Sequence, residues 1–486
     1  MRSQPCVRAW GCGRNAPIGW GRNPRALLMG LVRRERLGAK MVPNRSGRRV
    51  IVVGGGIAGL SAAYRLSQSG YEVTVLEKDD QVGGRMVTAE RQGYRFDVAA
   101  SLLPSAYTAM RRLVDDAGLA SSVQPSSDLA SIVDGGVHHH LHLASRLGLP
   151  RSSLLGPRSK AGLFRAAISA KRHRSSLRWD DLSGCASLDR ESIQEYADRR
   201  FGPEAIDLLI EPVSNEVYFA DPAELSVVHL LFFLERLLPT GFFSSPEGVA
   251  FLPRGLARQL HVELSAEVRS VEEARSEVTV TWSKGAGPER TDRADAAVIA
   301  VPVKDVSGIH PQLAPERREV LNGFSRSAYV VTHLGLSKAP ATPAMWLLVP
   351  RSTSPDLVGV VMEHNKATGR VPPGCGLAGA HWRPRWCEEH LHESDDQITS
   401  HTLKELEKIT PGISGTVVFS SVTRFEPCCV PLRSPGTFRA LQESSRGRAG
   451  DSRIVLAGDY FGLASTNTAL ASGERAARYL SGRLGP

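Results

Sequence analysis

Cysteine is scarce in this sequence and unorganised where it occurs. The seven residues, Cys6, Cys12, Cys185, Cys375, Cys387, Cys428 and Cys429, form no CxxC pair and no framework spacing. A disulfide scaffold is thereby excluded, and an odd, scattered set reads as reduced and intracellular, so a cytoplasmic location is expected. Long apolar runs are also missing: none approaches the roughly 20 residues that span a bilayer. Acidic residues are nearly absent from the first forty positions, where eight Arg and Lys40 face only Glu35, giving +8 of the formal +10. The remaining residues carry only +2, which excludes a broad basic groove and, with it, a nucleic-acid partner.

That basic head has no hydrophobic periodicity and is rich in Gly, Pro and Arg. A transit peptide would also be Ser-rich, and only Ser3 qualifies; a secretory signal needs a longer apolar stretch than ALLMGLV. Residues 1–47 therefore read as an extension or disordered tail, with Met41 as a natural start and targeting as the alternative. The composition is that of an ordinary globular protein: 486 residues in all, 42% apolar and 23% charged, long enough for two or more domains.

Chemistry enters at VIVVGGGIAGLSAAYRLSQSGYEVTVLEK, Val50 to Lys78. The β-branched run Val50–Val53 predicts a parallel strand buried on both faces. Gly54, Gly56 and Gly59 come next with GxGxxG spacing. The first suits a tight turn, the second close approach of backbone to a pyrophosphate, the third packing of helix on strand. A helix from about Ala58 to Gln68, preceded by Ile57, aims its first N–H groups at the diphosphate. Tyr71–Leu76 predicts a second strand, and Glu77, 18 residues after Gly59, stands where a carboxylate accepts from a ribose hydroxyl. Strand, glycine turn, helix, strand and acid in this order specify a dinucleotide site.

Three further segments narrow the choice. Gln81-Val82-Gly83-Gly84-Arg85-Met86-Val87-Thr88 comes after Glu77-Lys78, then Tyr94-Arg95-Phe96-Asp97. Near the other end, Arg453-Ile454-Val455-Leu456-Ala457-Gly458-Asp459 is an apolar strand ending in Gly-Asp, and Ser465–Ala477 reads as a capped helix. The chain resembles the flavin amine oxidase, phytoene desaturase and protoporphyrinogen oxidase superfamily at E-[KR]-x4-GGR-x2-[ST] (Glu77 to Thr88) and at AGD followed by SG-x2-AA. The resemblance implies FAD as cofactor. It places Gly83, Gly84 and Arg85 along the FAD, Lys78 beside Glu77, Asp459 with Gly458 near ribityl or pyrophosphate, the N–H groups around Thr468 and Ala469 at the flavin's pyrimidine edge, and the Val268 backbone near adenine. Two departures stand out. Ala99 and Thr468 occupy positions where the family usually has glycine.

The expected fold is α/β: a Rossmann-like FAD-binding domain with a parallel sheet, assembled from 48–104, 248–305 and 440–486, and an inserted α+β substrate domain from 105–247 and 306–439. Within the superfamily, Asp198–Glu204, Glu211-Pro212-Val213 and Val217–Ser226 look like the protoporphyrinogen oxidase branch. The resemblance thus implies dehydrogenation of a bulky apolar substrate, with hydride passing to flavin N5 and O2 or a quinone reoxidising it. Carotenoid desaturase, amine oxidase and a non-catalytic prenyl-binding escort protein on the same fold are the alternatives. Against an amine oxidase, Ser465 stands where a cage tyrosine is usual, and Ala328–Leu334 carries no lysine. No catalytic acid or base is singled out.

Three smaller features remain. Leu225–Leu238 is apolar nearly all round: as a core helix it lines the substrate cavity, as a surface helix it gives peripheral membrane contact. Cys428 falls where some amine oxidases attach flavin covalently, although a buried free thiol is the commoner role. His138, His139, His140 and His142 come after the hairpin turn signal Asp134-Gly135-Gly136, and read as a solvated hairpin with no metal.

Overall fold

The apolar run after Arg48 folds as its pattern demands. In a computed structural model of the chain, which describes residues 47–431, 433–445 and 452–485, it forms the central strand of a five-stranded sheet. The expected tail lies outside the described residues apart from Gly47, as do the side chains of Arg326 and of residues 426–431, Cys428 included. The sheet comprises β1 (Arg49–Val53), β2 (Glu72–Leu76), β3 (His261–Glu263), β4 (Ala296–Ile299) and β5 (Ile454–Leu456), in the order β3-β2-β1-β4-β5. All pairings are parallel. Val50–Val53, Val75, Leu76 and all of β4 are buried, as strands covered on both faces must be.

Three distant stretches of chain therefore meet in one sheet, and two helices bind them on one side. Helix α1 (Ile57–Gln68) succeeds β1, and α2 (Thr466–Leu484) succeeds β5. They approach closely because small residues face each other. A Cβ added to Gly473 would lie 2.1 Å from the Ala58 carbonyl oxygen. The Ser61 hydroxyl lies 3.0 Å from the carbonyls of both Ala58 and Leu470. At the outer end, buried Glu474 accepts from Arg65 Nε at 2.8 Å and from Arg112 at 2.7 Å. The N-terminal and C-terminal motifs are thus held by close packing and by charge.

A second, seven-stranded sheet lies across the other segments. Its order is Val417–Pro431, Arg326–Leu336, Gly376–Trp382, Leu357–Met362, Trp346–Leu348, Leu129–Asp134, Val137–His142. Side chains alternate between its faces. One face sends Val330, Leu334, Leu347, Val360 and Trp382 into a core closed by helix Asp395–Ile409. The other sends Ala130, Ile132, Tyr329, Trp346, Leu348, His381 and Phe425 into a large cavity. The last two strands form the expected hairpin, with Gly135 and Gly136 at φ +54° and +81° in its turn.

The Leu225–Leu238 segment resolves to its buried alternative. It is an α-helix over Val228–Phe232 that widens into a π-turn over Phe233–Leu237. Leu225, Val227, Val228, Leu230, Leu231, Phe232 and Leu237 are buried, so it is a core element and not a membrane-facing surface. Among the described residues no helix is long and apolar enough to cross a membrane.

Candidate flavin and substrate site

A parallel sheet gathers its functional loops at the carboxyl ends of its strands, and here the site begins there. Gly54 leaves β1 at φ +107°, and a Cβ on it would stand 2.5 Å from the Ala300 carbonyl oxygen. Gly59 is equally constrained, its added Cβ 1.9 Å from the Gly54 oxygen. Gly56 differs. It caps α1 at φ −72°, and a Cβ there would meet nothing within 4 Å. The backbone at Gly56 is thus the bare face of the turn, the property a pyrophosphate cradle needs.

The neighbouring motifs close around that face. Gly83 donates its N–H to the Gly55 carbonyl at 2.9 Å, which lays the GGR loop against the first glycine turn. Arg85 then reaches the carboxylate of Asp459, with NH1 2.8 Å from Oδ2. The arginine of one motif and the aspartate of the other, 374 positions apart in sequence, are in contact. Gly458 donates its N–H to Ser472 Oγ at 2.8 Å, anchoring this loop to α2. Arg433, fully buried, donates to the Asp459 backbone carbonyl. Burial pulls its guanidinium down to about 10, while Asp459 opposes the fall. The Arg85 guanidinium and the first amides of α1 make this end of the site attractive to a diphosphate.

Glu77 occupies the far end of β2. Its Oε2 accepts from Gly55 N–H at 2.5 Å and its Oε1 from Asp79 N–H at 2.8 Å. Burial raises its pKa, against the pull of these two amides. Strand Ala266–Glu273 docks beside it through Ala266 N–H to the Glu77 carbonyl, 2.8 Å, which brings Val268 to the same rim. Lys78 is more exposed, 4.0 Å from Asp305.

Of the expected cofactor residues, all but Gly59 and Thr468 line a single cavity of about 1350 Å³. Gly59 instead does its packing task behind the turn. Thr468 and Ala469 show a different arrangement from the expected one. Ser465 is the N-cap of α2: its Oγ accepts from Thr468 N–H at 3.1 Å and its carbonyl from Ala469 N–H at 3.1 Å. Both amides are used by Ser465, so the N–H groups at this helix start that lack an intrahelical partner are those of Thr466 and Asn467.

Away from the glycine turns the cavity becomes apolar, with Leu143, Leu163, Val213, Leu234, Phe242 and Trp346 in its wall. Sequence reading missed several polar residues here. Glu216, on helix Glu211–Tyr218, and His381 form a hydrogen-bonded pair of 2.6 Å in the wall. Lys366, absent from any expectation, lies just behind Ser101: its Nζ is 2.8 Å from Ser101 Oγ and 3.2 Å from Asp97. Tyr107 and Trp179 meet edge to face at 5.4 Å beside Ser465, and burial pushes the Tyr107 hydroxyl up to about 12. Asp128, not linked to the histidine run in sequence, accepts from His142 Nδ1 at 2.9 Å. Three potential ligand atoms of His390, Glu393 and His401 lie within 4.8 Å of one another, outside the cavity wall.

Comparison with known proteins agrees with this geometry. The family model for flavin containing amine oxidoreductase matches residues 57–481. The chain belongs to that family. Its members are FAD-dependent oxidoreductases, and FAD is the cofactor. Protoporphyrinogen oxidase 2, chloroplastic/mitochondrial, of Arabidopsis thaliana is 36% identical over 186 residues, 38% of this chain and 35% of the plant enzyme, so the match spans about a third of that relative. Coproporphyrinogen III oxidase of Bacillus subtilis is 22% identical over 417 residues, 78% of this chain and 86% of the relative. Among solved structures, a redesigned putrescine oxidase superposes with a TM-score of 0.71 at 17% identity, covering 90% of this chain and 99% of the other, which establishes the shared fold.

Proposed function

We propose that this protein dehydrogenates a bulky, largely apolar small molecule, in the manner of the protoporphyrinogen oxidase branch, with O2 or a quinone as final acceptor. Bound FAD would supply the hydride acceptor, held by Gly54, Gly56, Glu77, Arg85 and Asp459. The observation that carries this reading is the cavity itself. Pockets for one small molecule measure about 300–1,000 Å³; this one, at about 1350 Å³, joins a dinucleotide cradle to an apolar chamber. The intact cradle weighs against the escort-protein alternative. Segments 48–104, 248–305 and 440–486 would serve as the cofactor half and the remainder as the substrate half.

A second reading, oxidation of a bulky amine, draws support from Tyr107 and Trp179. They supply from elsewhere in the fold the aromatic surface that Ser465 does not, and such rings attract cations. Anaerobic mixing of the flavin-loaded protein with protoporphyrinogen, phytoene and a panel of amines tests both. The compound that bleaches the flavin fastest identifies the branch; bleaching by phytoene alone would overturn both readings in favour of a desaturase.

The peripheral membrane contact belongs, in our reading, to helix Pro157–Arg172 and not to Leu225–Leu238. That helix carries Arg158, Lys160, Arg165, Lys171 and Arg172 and no acid. Phe164 is 69% exposed on it, and Leu163, Phe164 and Ala167 line the cavity. A basic helix with a protruding aromatic suits an anionic lipid surface, and this one would admit an apolar substrate directly. The expected result is co-sedimentation with phosphatidylserine-containing vesicles that weakens with salt. Phe164→Asp should reduce it at least tenfold, given about 1.5–3 kcal/mol for burying such a side chain. Equal binding by the variant would remove the helix from this role.

A further inference from the structure

The sheet face that floors the cavity is almost entirely hydrocarbon and aromatic: Ala130, Ile132, Trp346, Leu348 and Phe425 contribute to it. His381 interrupts it. Strand register places His381 beside Val331 on one side and Gly359 on the other. Its Nδ1 hydrogen-bonds Glu216 Oε1 at 2.6 Å, and the same oxygen accepts from Trp346 Nε1 at 3.1 Å. The second carboxylate oxygen lies over Gly359, where an added Cβ would come within 2.8 Å of it. That oxygen is buried and has no hydrogen-bond partner among the described residues.

Five residues earlier on the same helix, Glu211 shows the ordinary structural solution for a buried carboxylate. It is clamped by Arg383 at 2.7 and 2.9 Å and by Arg351 at 2.8 Å. Glu216 is held instead by an imidazole and an indole, and among the described residues only the imidazole can offset its charge. A carboxylate withdrawn from water on such terms is costly, and the cost is understandable where a positive charge forms on the imidazole during turnover. With Nδ1 committed to Glu216, Nε2 is the second ring nitrogen of a residue that lines the cavity, on the Gly379 side of the ring. This is the arrangement by which a carboxylate sets the tautomer of a catalytic histidine. His333, on the adjacent strand, does not compete. Burial first, then His381 itself, lowers its pKa to about 3, so it stays neutral.

We propose that His381, oriented by Glu216, accepts the proton that the substrate loses in the cavity. The inference rests on the oxidoreductase reading above. Each two-electron dehydrogenation breaks bonds to two hydrogens. Bound FAD would supply the acceptor for one of them, as hydride, and the other leaves as a proton to Nε2 of His381. The imidazolium so formed is neutralised by the Glu216 carboxylate and returns its proton to water. The pair also ranks substrates. An amine or pyrrole N–H offers Nε2 a donor, whereas a hydrocarbon polyene would cover the two desolvated groups without one. His381 is the catalytic residue and Glu216 its positioning residue.

The test uses the flavin-loaded full chain with His381→Gln and Glu216→Gln. Both should retain FAD, while anaerobic bleaching by the best N–H substrate slows by about 10²–10⁴-fold in His381→Gln. In 15N-histidine spectra of the wild type, His381 should carry its proton on Nδ1 with a strongly downfield resonance that Glu216→Gln removes. His381→Gln that bleaches at the wild-type rate overturns the proposal and leaves the oxidoreductase reading standing. A wild-type holoenzyme that no substrate bleaches sinks that reading and this one with it. If neither variant holds FAD, the wild-type spectrum decides: a proton on Nε2 alone contradicts the assignment.

Discussion

Replacing Gly56 by valine leaves the melting temperature close to that of the FAD-free wild type and strips the protein of FAD. The two effects separate because of where the added atoms go. Gly56 has an extended backbone (φ −72°, ψ 173°) that valine adopts without strain, and its Cβ direction meets no protein atom within 4 Å. The added Cβ meets no protein atom, but a pyrophosphate lying on that turn would oppose the side chain. An overpacked contact of about 3 kcal/mol corresponds to roughly a hundredfold in Kd. Gly59→Ala provides the opposite control. Its Cβ would fall 1.9 Å from the Gly54 carbonyl oxygen and 3.2 Å from Val52, so that variant loses stability first. Flavin content and thermal melts of the two variants, measured together, separate a ligand cradle from a structural turn. Flavin retained by Gly56→Val at wild-type affinity would show that the turn holds no dinucleotide.

The second large effect lies in a fully buried charge cluster. Asp97, at the end of the Tyr94–Asp97 strand, pairs with Arg370 at 2.8 Å and Lys366 at 3.2 Å. Glu363 meets Arg370 at 2.7 Å and Lys366 at 3.0 Å, and all four side chains are at most 2% exposed. Thr88 Oγ1 and Val249 N–H donate to the other Asp97 oxygen at 2.8 and 2.9 Å. Arg370→Met keeps much of the volume but leaves two carboxylates facing one ammonium. Breaking such a set costs about 3–5 kcal/mol, visible as a lower denaturant midpoint with an unchanged slope. Acid should reveal the same cluster. Burial alone would raise the Asp97 pKa, but Arg370 and Lys366 outweigh it and hold the carboxyl below its usual range. Its stabilisation is therefore present above the ordinary carboxyl value of about 3.9 and lost as pH falls through the lowered one. Arg370→Met should unfold at a higher pH than the wild type on acidification. Coincident acid transitions would place the cluster's energetic weight elsewhere.

The cofactor end of this molecule was readable because its determinants are local. A β-branched run, glycines at fixed offsets and an acid at strand end each act through neighbours in sequence, and the structure places Gly54, Gly56, Glu77 and Val53 as that pattern implies. The convergence of Arg85 on Asp459 was legible only by resemblance, since nothing within either segment specifies the other. The amides of Thr468 and Ala469 were misjudged although the signal lies in the sequence: Ser465, three residues before Thr468, is a side-chain cap that uses one amide, and its carbonyl takes the other. Arg433, Lys366 and the Glu216–His381 pair were illegible in principle. Each is a polar residue in an unremarkable local context, brought to the site by sheet register or by a loop packed from a distant segment. Leu225–Leu238 was ambiguous for a related reason, because an all-round apolar helix does not encode what covers it.

The central claim is that Gly56, Arg85, Asp459 and the strand of Val268 surround one flavin dinucleotide. Its most direct test is to purify the full chain, denature it, and quantify the flavin released, alongside the shift in melting temperature on adding FAD. The account predicts one FAD per chain, or a colourless protein whose melting temperature rises as FAD is added, since binding to the native state alone must stabilise it. A colourless protein whose melting temperature does not move at any FAD concentration would contradict it.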